Sequence, residues 1–148
     1  MLPKPTLATL IELAQKKSDE ATRRLGELQN AHSSAAVKLE MLLAYRQEYL
    51  EQLSGQMQGG VPASYVRNFQ DFIATLDGAI EQQRALTLQA DTRLGHGRAA
   101  WQHTKRRLTS FDTLADRAQR HELLLSSKKE QRDSDERSAR QFYLRSAA

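Results

Sequence analysis

The chain has no cysteine. Disulfides are therefore excluded, along with the thiolate zinc sites that staple many small folds, and the composition fits a reducing compartment. Aromatic residues make up 6% and apolar residues 39% of 148 positions, too little for a thick globular core. No apolar run approaches the ~20 residues that a membrane helix needs. Met1-Leu2-Pro3-Lys4-Pro5 opens no signal-peptide core either. These absences predict a soluble cytoplasmic product with no direct membrane insertion. Glycine and proline are scarce as well, at 7 and 3, so their placement is informative. Gly55, Gly59, Gly60 and Pro62 fall close together in Gly55-Gln56-Met57-Gln58-Gly59-Gly60-Val61-Pro62, and such a cluster breaks a helix.

What remains on either side is rich in Leu, Ala, Gln, Glu, Lys and Arg, the residues that cost least in a helix. Pro3 and Pro5 predict an extended start, with Thr6 as N-cap of a first helix. From Leu7, steps of four and three select Leu7, Ile11, Ala14, Ser18, Ala21, Leu25, Leu28, His32, Ala35, Leu39, Leu42, Arg46, Tyr49 and Leu53. All but Ser18, His32 and Arg46 are apolar, which is a coiled-coil seam. Ser64 is the expected cap of a second helix. The same spacing then runs through Val66, Phe69, Ile73, Leu76, Ile80, Gln83, Thr87, Ala90, Leu94, Gly97, Trp101, Thr104, Leu108, Phe111, Ala115, Ala118, Glu122 and Leu125 without a slip.

Folding the two arms together at the glycine-rich stretch pairs Leu42 with Leu76, Tyr49 with Phe69, Leu25 with Leu94 and Leu7 with Phe111. It sets Trp101 opposite Ser18, Gly97 opposite Ala21 and His32 opposite Thr87. Large against small is what close packing requires. The predicted fold is all-α: a long two-helix antiparallel coiled-coil hairpin with an overhanging C-terminal helix. It forms a single coiled-coil domain over 1–148, with helix 1 at about 6–54, a hinge at 55–63 and helix 2 at about 64–143. Residues from about Asp116 onward have no expected partner within the chain. They include the apolar Leu123, Leu124, Leu125, Phe142 and Leu144, which are expected to contact a partner.

No enzymatic motif is present. The glycine-rich stretch lacks the Lys-Ser/Thr of a phosphate-binding loop. His96 and His103 are seven apart on a solvated helix without a close third ligand. A two-helix pair also offers no water-excluding pocket for an acid or base. The sequence thus predicts neither an enzyme nor a bound cofactor or metal. Net charge is +4 with pI near 9.6, which suits an acidic partner but falls short of a dedicated nucleic-acid binder. The basic stretch Arg93, Arg98, Lys105, Arg106, Arg107 contains no acid. Its alternative use is a general scaffold or a nucleic-acid-associated coiled coil; without clustered aromatics to stack bases, nucleic acid is not expected.

The more informative anomaly flanks the seam near the hinge. Positions beside the seam normally carry charge, yet here they place Tyr45 opposite Phe72, with Tyr65 and Ala79 on either side. The far edge, Gln70, Asp77, Arg84 and Asp91, is polar as usual. Exposed aromatics on one edge read as a docking site, because Tyr and Phe anchor interfaces. The alternative is that the rings fold over and widen a thin core.

These residues also carry a resemblance. Leu42-Leu43-Ala44-Tyr45-Arg46-Gln47-Glu48-Tyr49 before the hinge, and Tyr65, Asn68-Phe69-Gln70-Asp71-Phe72-Ile73, Leu76-Asp77, Ile80 and Gln82-Gln83 after it, resemble the FliJ-type flagellar export protein family. Trp101, the Lys105-Arg106-Arg107-Leu108 region and the long polar tail are similar too. The resemblance implies a non-enzymatic, bacterial component of flagellar type III protein export, and through it a role in motility. It also implies a coiled coil like the central stalk of rotary ATPases. The implied partners are the export ATPase ring, the cytoplasmic domain of the export gate, and export chaperones. The implied location is the cytoplasmic side of the inner membrane, peripheral through the export apparatus. Gate binding in the family maps here to Leu42, Tyr45, Tyr49, Phe72, Leu76 and Ala79, with Lys38 and Gln83 at the margin. The ring contact is assigned to Leu123, Leu124, Leu125, Phe142 and Leu144.

Overall fold

The computed structural model describes residues 4–147, with side chains from Thr6 onward. Among these residues there are two helices and no strand: α1 (Lys4–Gln58) and α2 (Ala63–Ala147). Helix α1 begins two residues before the expected Thr6 cap. Pro5 lies in its first turn, where a missing N–H removes no helical bond. The expected role of Pro3 lies outside the described residues.

The connection is shorter than the sequence suggested. Gly55 and the three residues after it remain helical, and the break comes only at Gly59. There the Gly59 N–H donates to the Gln56 carbonyl at 3.1 Å and the Gly60 N–H to the Met57 carbonyl at 3.3 Å, which tightens the last turn. Gly60 adopts φ +78°, a left-handed conformation that a side chain disfavours and glycine does not. The Pro62 carbonyl then accepts from Tyr65 at 3.1 Å and from Val66 at 3.3 Å. Pro62 thereby starts α2, and Ser64, the expected cap, lies inside its first turn.

Contacts divide the chain into two packed units. One comprises Asp19–His103 and contains the turn; the other comprises Met1–Ser18 with Thr104–Ala148. In the turn unit Leu76, Ile80 and Leu94 are buried, while Leu25, Leu28, Leu39, Tyr49, Phe69 and Ile73 are half-buried. In the other unit Leu7, Ala14, Ser18 and Ala118 are buried, and Ile11, Leu108 and Phe111 are half-buried. Every buried residue lies on the four-three seam. Most seam residues are only half-covered because a helix pair shields one stripe of each helix and no more.

The expected Tyr49–Phe69 pair forms, but farther from the turn the side-chain contacts shift the expected pairing along α1. Gly97 lies against Leu25 and Leu28, with a Cβ built on it overlapping Leu28 Cδ1. This is one to two turns past Ala21, the expected neighbour. The Trp101 indole N–H donates to Thr22 Oγ at 3.0 Å. His32 sits 3.6 Å from the Asp91 carboxylate. Thr87 instead donates to the carbonyls of Gln83 at 2.8 Å and Ala35 at 3.3 Å. The Gln83 amide also donates to Ala35, at 3.1 Å. The polar layer between the helices is therefore Gln83 and Thr87 on one carbonyl of α1, in place of a His32–Thr87 pair.

Candidate protein-docking surfaces

The seam that closes the helix pair leaves three aromatic residues near the turn at its margin. Tyr49 points inward at a seam position, and its ring meets Phe69 edge-on, with centroids 5.5 Å apart and planes at 64°. It also meets Phe72 at 4.5 Å and 43°. Tyr65 extends the chain of rings to Phe69 at 6.0 Å. Such offset and edge contacts stabilise by about 0.5–1.5 kcal/mol beyond burial. Phe72 therefore leans on Tyr49, whereas the sequence placed it against Tyr45, which stands outside this chain of rings. Even so, Phe72 remains 44% exposed and Tyr45 48% exposed. The rings are held on one side and open to water on the other.

The remaining residues of the expected gate patch separate by depth. Lys38 is exposed, and Leu42 and Ala79 are half-buried beside the rings. Leu76 is 8% exposed and belongs to the core, so it supports the patch from beneath. Gln83, expected both on the seam and at the patch margin, donates to the Ala35 carbonyl across the helices and acts here as a structural polar residue.

The opposite edge is closed by charge pairing. Arg46 occupies a seam position, but its guanidinium turns outward to Asp77, with Nε 2.5 Å from Oδ1. The hydrogen bond and charge of Asp77 raise the Arg46 pKa above its ordinary value. Arg84 pairs with Glu81 at 3.7 Å on the same edge. One edge of the helix pair is thus ionic and internally matched, and the other is aromatic and open.

The second candidate surface lies at the far end of α2. Ala118 is the last buried residue, and every described residue after it is exposed. Cover on α2 extends slightly beyond Asp116, where the sequence ended it. Leu123, Leu124 and Leu125, and then Phe142, Tyr143 and Leu144, are all more than half exposed. Tyr143 was not among the expected contact residues; its place between Phe142 and Leu144 is the signal that would have included it. The helix continues for ~43 Å beyond Ala118 at 1.5 Å per residue. Gln131 and Asp135 bond to each other one turn apart on this segment.

No group of three or more metal-ligating side chains occurs among the described residues, nor is any described helix long and apolar enough to cross a membrane. The family described as Flagellar FliJ protein matches residues 3–147. The chain belongs to this family. Curated relatives agree. The Flagellar FliJ protein of Salmonella typhi is 36% identical over 130 residues, covering 88% of each chain. That of Escherichia coli (strain K12) is 35% identical over the same length and coverage. Membership carries the coarse assignment: a component of flagellar protein export, in a family that is not enzymatic.

Proposed function

We propose that this chain is a stalk-like coiled coil of the flagellar export apparatus, which docks on the cytoplasmic domain of the export gate through the aromatic edge near its turn. The observation that supports this reading is the state of Tyr45 and Phe72. Each leaves nearly half its surface in water, beside half-buried Leu42, Tyr49 and Ala79. A soluble protein seldom leaves such a patch of rings uncovered unless a partner covers it. The exposed leucines of the α2 tail are the proposed contact with the export ATPase ring, whose association the neighbouring Lys and Arg residues would steer electrostatically. Export chaperones are the third proposed class of partner, and the complex would hold the chain at the cytoplasmic face of the inner membrane.

The test compares stability with binding on the same proteins. Replacing both Tyr45 and Phe72 with Ala should preserve helicity and lower stability modestly, chiefly through the lost Phe72–Tyr49 contact. Leu94→Ala removes a buried seam residue and should cost the ~2–5 kcal/mol of a core truncation. Gate-domain affinity should rank the other way, because aromatic anchors contribute ~2 kcal/mol or more each to an interface. A large fall in melting temperature for the double variant, with gate affinity intact, would show that these rings are core.

A further inference from the structure

The open edge does not end at the rings. Steps of seven along α2 carry it from Phe72 through Ala79 and Leu86 to Arg93 and Ala100, and along α1 from Tyr45 through Lys38 and Ala31 to Arg24. Leu86 is 47% exposed. The edge closes on a groove of about 290 Å³ lined by the apolar Ala21, Leu28, Gly97 and Ala100 and by the basic or polar Arg24, Arg93 and His96. Gly97 accommodates the Leu28 side chain of α1, so the lining open to a partner is apolar and small, chiefly Ala21, Leu28 and Ala100. Neither arginine has an acidic partner among the described residues. On the opposite edge Asp77, Asp91 and Arg84 all have ionic neighbours. Two exposed guanidiniums without acidic partners, lining one groove with apolar residues, suit carboxylates carried on an apolar scaffold.

We propose that this edge is one continuous seat for an acidic amphipathic helix of a partner protein. Apolar side chains of that helix would lie on Tyr45, Phe72 and Leu86, and its aspartates or glutamates would lie between Arg24 and Arg93. Phe72 and Arg93 are ~32 Å apart along the helix axis, a length that a helix of about six turns spans and a small anion does not. The proposal rests on the docking reading above and adds to it the chemistry of the occupant: a third helix that completes a thin pair, recognised at one end by shape and at the other by charge.

The cytoplasmic domain of the export gate is the probe, titrated against the full chain at salt concentrations between ~50 and ~200 mM, where exposed charge pairs become screened. Substituting R24E and R93E together should leave the circular dichroism melt unchanged, since both side chains are exposed. Gate affinity should fall about tenfold or more and lose most of its salt dependence. Wild-type affinity and an unchanged salt slope in that variant would overturn the inference while leaving the aromatic dock standing. If Y45A/F72A also bound normally, or the wild-type chain did not bind at all, both would fall. Inorganic pyrophosphate should show no arginine-dependent binding by calorimetry; saturable binding lost in R24E/R93E would make the groove a phosphate site instead. In an R24K/R93K variant, a carbodiimide couples lysine amines to touching carboxylates. Coupled partner peptides should map to one segment with acids at helical spacing, and scattered attachment would overturn the helix.

Discussion

Gly95 and Gly97 sit two residues apart in α2 and face different surroundings. A Cβ at Gly95 meets nothing within 4 Å, whereas one at Gly97 runs into the Leu28 side chain. Gly95→Ala should therefore raise stability by about 0.5–1 kcal/mol, the usual gain from restricting a helical glycine. Gly97→Leu should lower it by about 1–3 kcal/mol, because the helices cannot part locally without strain. Thermal melts of the two variants should move in opposite directions. If Gly97→Leu melts like wild type, the close approach at that level is absent. The sequence foresaw a tight layer at Gly97 but named Ala21 as its floor. A repeating seam offers an apolar partner on every turn, so sliding the pairing by one turn costs little in pattern matching. Only the actual contacts with Leu25 and Leu28 choose among the alternatives. Phe72 shows the same limit, since idealised positions set it against Tyr45, while the reach of the Tyr49 ring decides its contact.

At the scale of the element, the seam itself was legible because apolar residues recur at four-three spacing with few exceptions. Each buried side chain falls on it. Helix ends were less so. Gly55 lies inside α1 because an exposed helix tolerates a single glycine at a cost of ~1 kcal/mol. The pair Gly59-Gly60 followed by Pro62 is what the helix does not survive. Ser64 has the right side chain for a cap, but Pro62, with its fixed φ, supplies the first accepting carbonyl two residues earlier. The tail of α2 makes the clearest prediction here. Every described residue after Ala118 is exposed. A chain ending at Ala118 should melt within about 3 °C of the full-length protein, since changes at exposed positions usually alter stability little. A much larger drop would mean that the tail packs on the rest of the molecule.

For the whole molecule, the proposed surfaces differ in kind and lie in different packed units, so their functions should come apart. The aromatic edge belongs to the unit Asp19–His103, and the exposed leucines of the tail belong to the unit that includes Thr104–Ala148. Tyr45 and Phe72 make no contribution to the tail, and Leu123, Leu124 and Leu125 none to the turn. Variants at sites with no shared contacts usually act additively. If the proposed contacts hold, the chain ending at Ala118 should bind the export-gate domain as tightly as full length while losing association with the export ATPase, read as any effect on its rate. Y45A/F72A should act on the ATPase as wild type does and fail on the gate. Either variant alone should impair export in cells, and combining them should leave each in vitro defect no deeper than in the single variant. The measurements are gate affinity and ATPase rate on four proteins: wild type, each variant, and the combination. If truncating the tail weakened gate binding, or losing the rings slowed the ATPase, the two surfaces would be coupled, and two separable docking surfaces would be the wrong description.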